Sequence, residues 1–424
     1  MDKDSIVPIV ITIDKLVHGG QGLGKAADGR KIFVWNALPG ETVTAQIIKK
    51  KRSYAEAIAI EIANPSADRV APREANYLAT SPWQILDFTA ENAAKKQITL
   101  DVMAHEKVTL PTVSDVVTDG VEWQYRNKME YSFWGDDEGL HLALHQRGSH
   151  GKQIVEGSAL ALPEIDDAAQ TLCAQLTKLG TRAGDLKTAV LRADRQGNVV
   201  MALFVKLLTF KPLELPKGVQ GLRVWYSNPK SPASVTTELL QEVGDVTLTD
   251  TLLDKPFTYD VDSFFQVNLP VFEKALARIK EHAADTPALT DMYAGVGSIG
   301  LSVAGKKVTL VELDLATAAM AGVNAVASSL ETEVIETSAE QSLEYITADQ
   351  PVIVDPPRAG LHPKVVEKLL SEKPPKIIYL SCNPATQARD LALLQEAYTI
   401  DFFEIYNFFP KTPHIESLAV LSVR

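Results

Sequence analysis

Residues 288–300 read Ala288-Leu289-Thr290-Asp291-Met292-Tyr293-Ala294-Gly295-Val296-Gly297-Ser298-Ile299-Gly300. An apolar run ends in an acid, a G-x-G-x-x-G pattern follows, and SIGLSVA (298–304) continues as a helix. A strand that enters a glycine turn and then a helix lets the backbone approach a ligand at the helix N-terminus. The next strand, KVTLVELD (307–314), carries Glu312 near its end, where an acid can accept hydrogen bonds from ribose hydroxyls. These features together point to a nucleotide or S-adenosylmethionine site. The bare alternative is a structural tight turn. The acid ahead of the glycines favours S-adenosylmethionine over NAD, because a sulfonium is a cation and brings no pyrophosphate.

Outward from this turn, strands and helices alternate. PVFEKALARIKEHA (270–283), LATAAMAGVNAVAS (315–328), HPKVVEKLLSE (362–372) and ATQARDLALLQE (385–396) are helical in pattern. SAEQSLEYI (338–346) is read as a further helix, with Ser338 and Gln341 at capping-box spacing. PVIVDPPR (351–358) and KIIYLSCNP (376–384) are strands, and TIDFFEIYNFF (399–409) and ESLAVLSV (416–423) close the chain as two more. The pattern is an α/β doubly wound, Rossmann-like parallel sheet over 256–424 with an antiparallel end, and such sheets bind ligands at the carboxyl ends of their strands.

The segment before it differs. Over residues 5–63, about five short strands alternate with turns such as HGGQGLGKAADGR and ALPGE, the rhythm of a small OB-like β-barrel. NPSADRVAPRE (64–74) reads as a linker. The expected domains are a barrel over 1–65, a mixed α/β middle domain over 66–255, and the sheet domain over 256–424. FTAENAAKKQITLDVMAHEKV (88–108) is expected to be a helix that can pack on the last domain.

Composition narrows the class. The chain has 424 residues, 46% hydrophobic, with 42 Lys+Arg against 54 Asp+Glu and only two cysteines. A disulfide scaffold and a self-contained four-cysteine metal site are excluded. The lack of a long apolar run or a basic-then-apolar N-terminus makes a cytoplasmic protein away from membranes the expectation. The formal charge of −12 argues against nucleic acid at face value. Its distribution argues less: residues 1–75 carry 11 basic against 9 acidic groups, and 251–424 carry 14 against 23. The densest basic run, Lys49-Lys50-Lys51-Arg52 with Tyr54 beside it, suits phosphate contact and base stacking, or else a solvated hairpin turn.

Four further motifs fall at strand ends or before the first helix. In Val354-Asp355-Pro356-Pro357-Arg358 two prolines fix a turn that presents a carboxylate. In Leu380-Ser381-Cys382-Asn383-Pro384 the thiol is either a nucleophile or a small buried apolar group. In Phe408-Phe409-Pro410-Lys411-Thr412-Pro413-His414-Ile415-Glu416 either His414 or Glu416 can serve as a general base. Phe264-Phe265-Gln266-Val267-Asn268 offers an amide that pairs with a base edge or caps a helix. Cys173, mid-helix, reads as core.

Together these motifs, in this order, resemble the RNA (uracil-5-)-methyltransferase family over essentially the whole chain, and residues 18–57 resemble the TRAM domain of one branch. The resemblance implies an S-adenosylmethionine-dependent enzyme that makes 5-methyluridine in rRNA or tRNA. It implies Cys382 as the nucleophile toward uracil C6 and Glu416 as the base that removes the C5 proton. Gln266, Tyr293, Gly295, Gly297, Ser298, Glu312 and Asp355 match the cofactor side. Gln266, Phe264, Asp355 and Arg358 match the base-binding side, with Lys50, Lys51, Arg52 and Tyr54 as an RNA strip. The family expectation is a monomer without a catalytic metal. One departure stands out. Where relatives place iron–sulfur cysteines, this chain has Glu74, Thr80, Trp83 and Ser158, so no cluster is expected, and Trp83 packing is expected to take its structural part. Ser298 also replaces a common Asn, which alters one cofactor hydrogen bond. Rival readings are an amino-directed methyltransferase, which usually has an aromatic residue where Arg358 stands, and an RNA-binding relative without catalysis.

Overall fold

The computed structural model describes residues 8–147, 151–231, 234–283 and 286–424; Ile6 and Val7 of the expected first strand lie outside them. Strands Ile9–Leu16, Gly22–Lys25, Lys31–Trp35, Thr42–Lys50 and Tyr54–Ile62 close into a five-stranded barrel. Alternate residues point inward, so Ile11 and Ile13, Ile32 and Val34, Val43 and Ala45, and Ala55, Ala57 and Ala59 form its core. Gly24 is required there, because a Cβ would lie 2.4 Å from the carbonyl of Thr12.

A seven-stranded sheet follows, from Glu238–Gly244 at one edge to Lys152–Ile154 at the other. Helix Pro163–Lys178 covers one face with Ile165, Leu172, Cys173 and Leu176, so Cys173 is core as expected. On the opposite face, Val190, Val200, Ala202 and Phe204 share a core with the hairpin Thr247–Leu252 and Lys255–Asp260 and with helix Leu269–Ala283. The expected boundary at 255/256 therefore falls at the start of the second strand of a hairpin that packs with both neighbours.

The last sheet runs Glu331–Glu336, Lys307–Glu312, Ala288–Asp291, Val352–Val354, Lys376–Ser381, Glu416–Val423, Tyr398–Tyr406. The first five strands are parallel and the last two pair antiparallel. Strand order reverses between Ala288–Asp291 and Val352–Val354, the switch point at which open α/β sheets bind ligands.

Helix Phe88–His105 packs Ile98 and Met103 with Leu391, Leu394 and Phe403 of this sheet domain. Asp87 caps it by accepting from the Thr89 and Ala90 N–H groups. It ends three residues earlier than expected, where Lys107 turns left-handed at φ 60°. The helix expected over 338–346 is instead two short 3-10 turns, Ala339–Gln341 and Leu343–Tyr345. Nine residues are too few for a self-supporting helix. The capping box does not form, since the Ser338 side chain makes no cap hydrogen bond and Gln341 accepts from Thr337 instead. SIGLSVA is a single turn, Gly300–Val303. No helix is long and apolar enough to cross a membrane among the described residues.

Candidate active site

A cavity of about 960 Å³ opens at the carboxyl ends of the central strands. Its first wall is the glycine turn. Asp291 ends its strand fully buried and accepts from the Gly300 N–H at 2.9 Å, which ties the turn to the strand. Burial pushes its carboxyl up to about 7, against two backbone hydrogen bonds and with Glu312 adding to the rise. Gly295 donates its N–H to Glu312 at 2.9 Å, and the other Glu312 oxygen takes the Asp314 N–H at 2.8 Å. Gly297, at φ 84°, has no room for a Cβ, which would press on Leu301 at 2.8 Å. Gly295, Tyr293, Glu312 and Asp355 line the cavity; Gly297 and Ser298 do not, and Gly297 serves the packing of the turn.

The opposite wall carries the reactive candidates. Cys382 follows strand Lys376–Ser381 directly, and Asn383 caps helix Pro384–Leu394 by accepting from the Ala385 N–H. The thiol therefore stands just ahead of a helix N-terminus. Burial first, then the Glu416 and Asp355 carboxylates, push it up to about 12, and Arg358 opposes them. Burial and then Asp291 raise Asp355 to about 8. Glu416 opens the last long strand opposite Tyr406, and burial and then Asp355 hold its carboxyl well above the usual range. The three groups form one mutually repelling cluster beside the exposed Arg358. Phe264, 60% exposed, and the buried Gln266 line the same cavity. Of the two amides in this motif, Asn268 directly precedes helix Leu269–Ala283, and its Nδ2 donates to the Phe408 carbonyl at 3.1 Å. His414 also lines the cavity, and burial with Arg358, Lys95, Arg126 and Arg147 around it lowers its imidazole to about 3.

The basic run is not part of this cavity. Lys50 ends strand Thr42–Lys50, Lys51 and Arg52 lie in the exposed turn that follows, Lys49 pairs with Glu56 at 2.7 Å, and the Tyr54 ring meets Phe33 edge-on at 5.6 Å. What the barrel brings to the site is a different loop. His18 hydrogen-bonds the Asn383 side chain, and the Gly20 carbonyl accepts from Trp83 Nε1 at 2.9 Å. The sequence marked that loop only as the barrel turn HGGQGLGKAADGR, not as part of the site. Asp262, Leu313, Ser338 and Glu340 were also missed, and only the carboxyl-end rule applied to strand Glu331–Glu336 would have pointed to the last two.

Glu74, Thr80, Trp83 and Ser158 lie among ordinary hydrogen bonds. Glu74 accepts from Gln84 at 2.6 Å and from the Ala159 N–H at 2.7 Å, and the Ser158 hydroxyl accepts from the Leu160 N–H at 3.3 Å. Trp83 is 1% exposed and packs with Leu16, Leu38 and Ile85. No group of three or more His, Cys, Asp or Glu is arranged to hold a metal ion among the described residues.

The donor chemistry suits a cationic cofactor. Carboxylates Glu312, Asp314 and Glu340 stand with Met292, Val311 and Leu313 along the wall, which repels a pyrophosphate and attracts a sulfonium. The volume is that of a cofactor-sized site.

Comparison with known proteins agrees with this geometry. Residues 342–424 match the family model described as tRNA (Uracil-5-)-methyltransferase, and residues 9–60 match the TRAM domain. An "Uncharacterized RNA methyltransferase" of Enterococcus faecalis is 30% identical over 98% of this chain and 97% of its own. A protein of the same description from Listeria monocytogenes is 31% identical, covering 97% of each. Among solved structures, the Pyrococcus abyssi tRNA (uracil-54, C5)-methyltransferase, in complex with S-adenosyl-L-homocysteine, superposes with a TM-score of 0.78. That match covers 97% of this chain and all of the other at 23% identity, and so shows a shared fold. With relatives at this identity along nearly its whole length, the chain belongs to the RNA methyltransferases of the tRNA (uracil-5-)-methyltransferase family that carry a TRAM domain.

Proposed function

We propose that the protein transfers a methyl group from S-adenosylmethionine to C5 of a uridine in rRNA or tRNA, through a covalent adduct on Cys382. The observation that carries this is the meeting of Cys382 and Glu416 in one cavity with the glycine turn and Asp355. Gln266, Tyr293, Gly295, Glu312 and Asp355 would hold the cofactor, and when bound it supplies an electrophilic methyl. Uracil C5 is a weak nucleophile. Cys382 gives its Sγ proton to water, adds to C6 as the thiolate and moves the ring electrons toward C5 and O4, which makes C5 reactive. After methylation C5 carries a proton that must leave before the C5=C6 bond reforms and expels the sulfur. Glu416 takes that proton. A carboxylate with a raised pKa is the stronger base once ionised, and burial gives Glu416 that property. His414, buried and ringed by cations, is a poor proton acceptor.

Phe264 and Arg358, both exposed at the cavity, suit stacking and polar contact with a base turned out of its helix. Cys382→Ala decides the mechanism: the variant should lose methyl transfer and fail to form a stable complex with 5-fluorouracil RNA. Methyl transfer retained at the wild-type rate would overturn the covalent route.

A further inference from the structure

The loop between strands Tyr398–Tyr406 and Glu416–Val423 contributes Phe409 and His414 to the cavity. Four successive carbonyls of this loop are held from outside it. Phe408 O accepts from Asn268 Nδ2 at 3.1 Å, Phe409 O from Lys95 Nζ at 3.0 Å, Pro410 O from the Tyr125 hydroxyl at 3.0 Å, and Lys411 O from the Trp83 N–H at 3.1 Å. Lys411 itself is left-handed at φ 61°, a strained conformation for a residue other than glycine.

At the centre of this grip are two charges on helix Phe88–His105. Glu91 and Lys95 pair at 3.0 Å, and both side chains are fully buried. Glu91 also accepts from the Lys411 N–H at 3.0 Å and from Asn407 Nδ2 at 2.9 Å. Lys95 also donates to Asn407 Oδ1 at 2.6 Å. Apolar residues of similar volume would fill this space without the desolvation cost of an ion pair, and such replacements are often neutral or stabilising. What they could not supply is directional bonding to the loop backbone.

We propose that Glu91 and Lys95 are positioning residues, which fix the loop so that Phe409 and His414 form the wall against which the target base is seated. The proposal rests on the reading of this cavity as the base-binding site. Its test uses the double variant Glu91→Gln/Lys95→Met in the full-length protein, which leaves no single charge buried alone, beside Lys95→Met. Three measurements are made: melting with S-adenosylhomocysteine binding by calorimetry, transfer of labelled methyl to RNA, and amide hydrogen exchange over 407–415. The double variant should melt cooperatively and bind S-adenosylhomocysteine within about twofold of wild type, since Tyr293, Gly295 and Glu312 belong to the glycine turn and to strand Lys307–Glu312 rather than to this loop. Its kcat should fall at least tenfold with KM little changed, and exchange at Lys411 should rise at least tenfold. Phe409→Ala should lower kcat similarly, with no further loss when combined with the double variant. Wild-type kcat in a folded double variant would overturn the proposal, as would a parallel loss of cofactor affinity, which marks a general structural role. Label transfer is counted whichever atom is methylated, so active Cys382→Ala would refute the covalent route without touching this comparison. Unchanged exchange over 407–415 would refute the positioning role whatever the reaction.

Discussion

Replacing Asp355 by Asn separates stability from function at this site. The carboxyl stands at the end of strand Val352–Val354, and burial with the neighbouring Asp291 raises it to about 8. In an unfolded chain an Asp titrates near ~3.9. Between those values the folded chain keeps a proton that the unfolded chain has released. The stability contributed by Asp355 is therefore fully present below pH ~4 and is lost as pH rises toward ~8. At ~1.36 kcal/mol per pH unit the whole window amounts to ~6 kcal/mol. The cavity leaves part of this carboxyl in contact with water, and half that figure, ~3 kcal/mol, is the better expectation. Asn carries no titrating proton in either state. The stability of Asp355→Asn relative to wild type should therefore improve by ~3 kcal/mol between pH 4.5 and 8.5. For a cooperative unit the size of the sheet domain this is ~6–12 °C in Tm. Thermal melting of both proteins at several pH values measures it, alongside a methyl-transfer assay in which the variant should be severely impaired. A variant-to-wild-type difference that stays constant with pH, or that shrinks as pH rises, would refute the electrostatic account.

Two other substitutions test separate parts of the site. Glu416→Gln should still methylate the ring but fail to remove the C5 proton, so RNA should stay attached to protein on denaturing gels; release of free methylated RNA at the normal rate would remove Glu416 from its proposed role. Gly20→Ala places a Cβ 2.3 Å from Pro413 Cβ at a residue with φ 95°, so the barrel loop should lift from the site. Trp83 emission should then shift to the red as its indole loses the Gly20 carbonyl, and RNA methylation should fall while S-adenosylhomocysteine binding holds; an unaltered spectrum would show that the loop tolerates the displacement.

The electrostatic surprise of the sequence, a net charge of −12 in a protein that handles RNA, finds a physical reading in the site. Acidic groups concentrate where a cationic cofactor fits, while Arg126, Arg147, Arg358 and Lys95 gather around His414. Total charge averages over two surfaces with opposite tasks.

The sequence by itself determined the strand order's raw material and the chemistry at the strand ends. The glycine turn, Asp355, Cys382 and Glu416 are legible because each lies at a local junction, strand to turn or turn to strand, whose signals are only a few residues long. The same local reading failed at 338–346, where a helical composition was too short to outweigh burial of Ile346 and the turn at Ser342. Gly297 and Ser298 belong to the same motif but do not line the cavity. Tertiary structure alone decided the rest. The joining of His18 to Asn383 and of Glu91 and Lys95 to residues more than 300 positions later follows from packing between distant segments. The raised carboxyls and the high thiol are likewise properties of burial and of charges brought together by the sheet. No spacing rule encodes them, because desolvation and through-space repulsion depend on what surrounds a group in three dimensions.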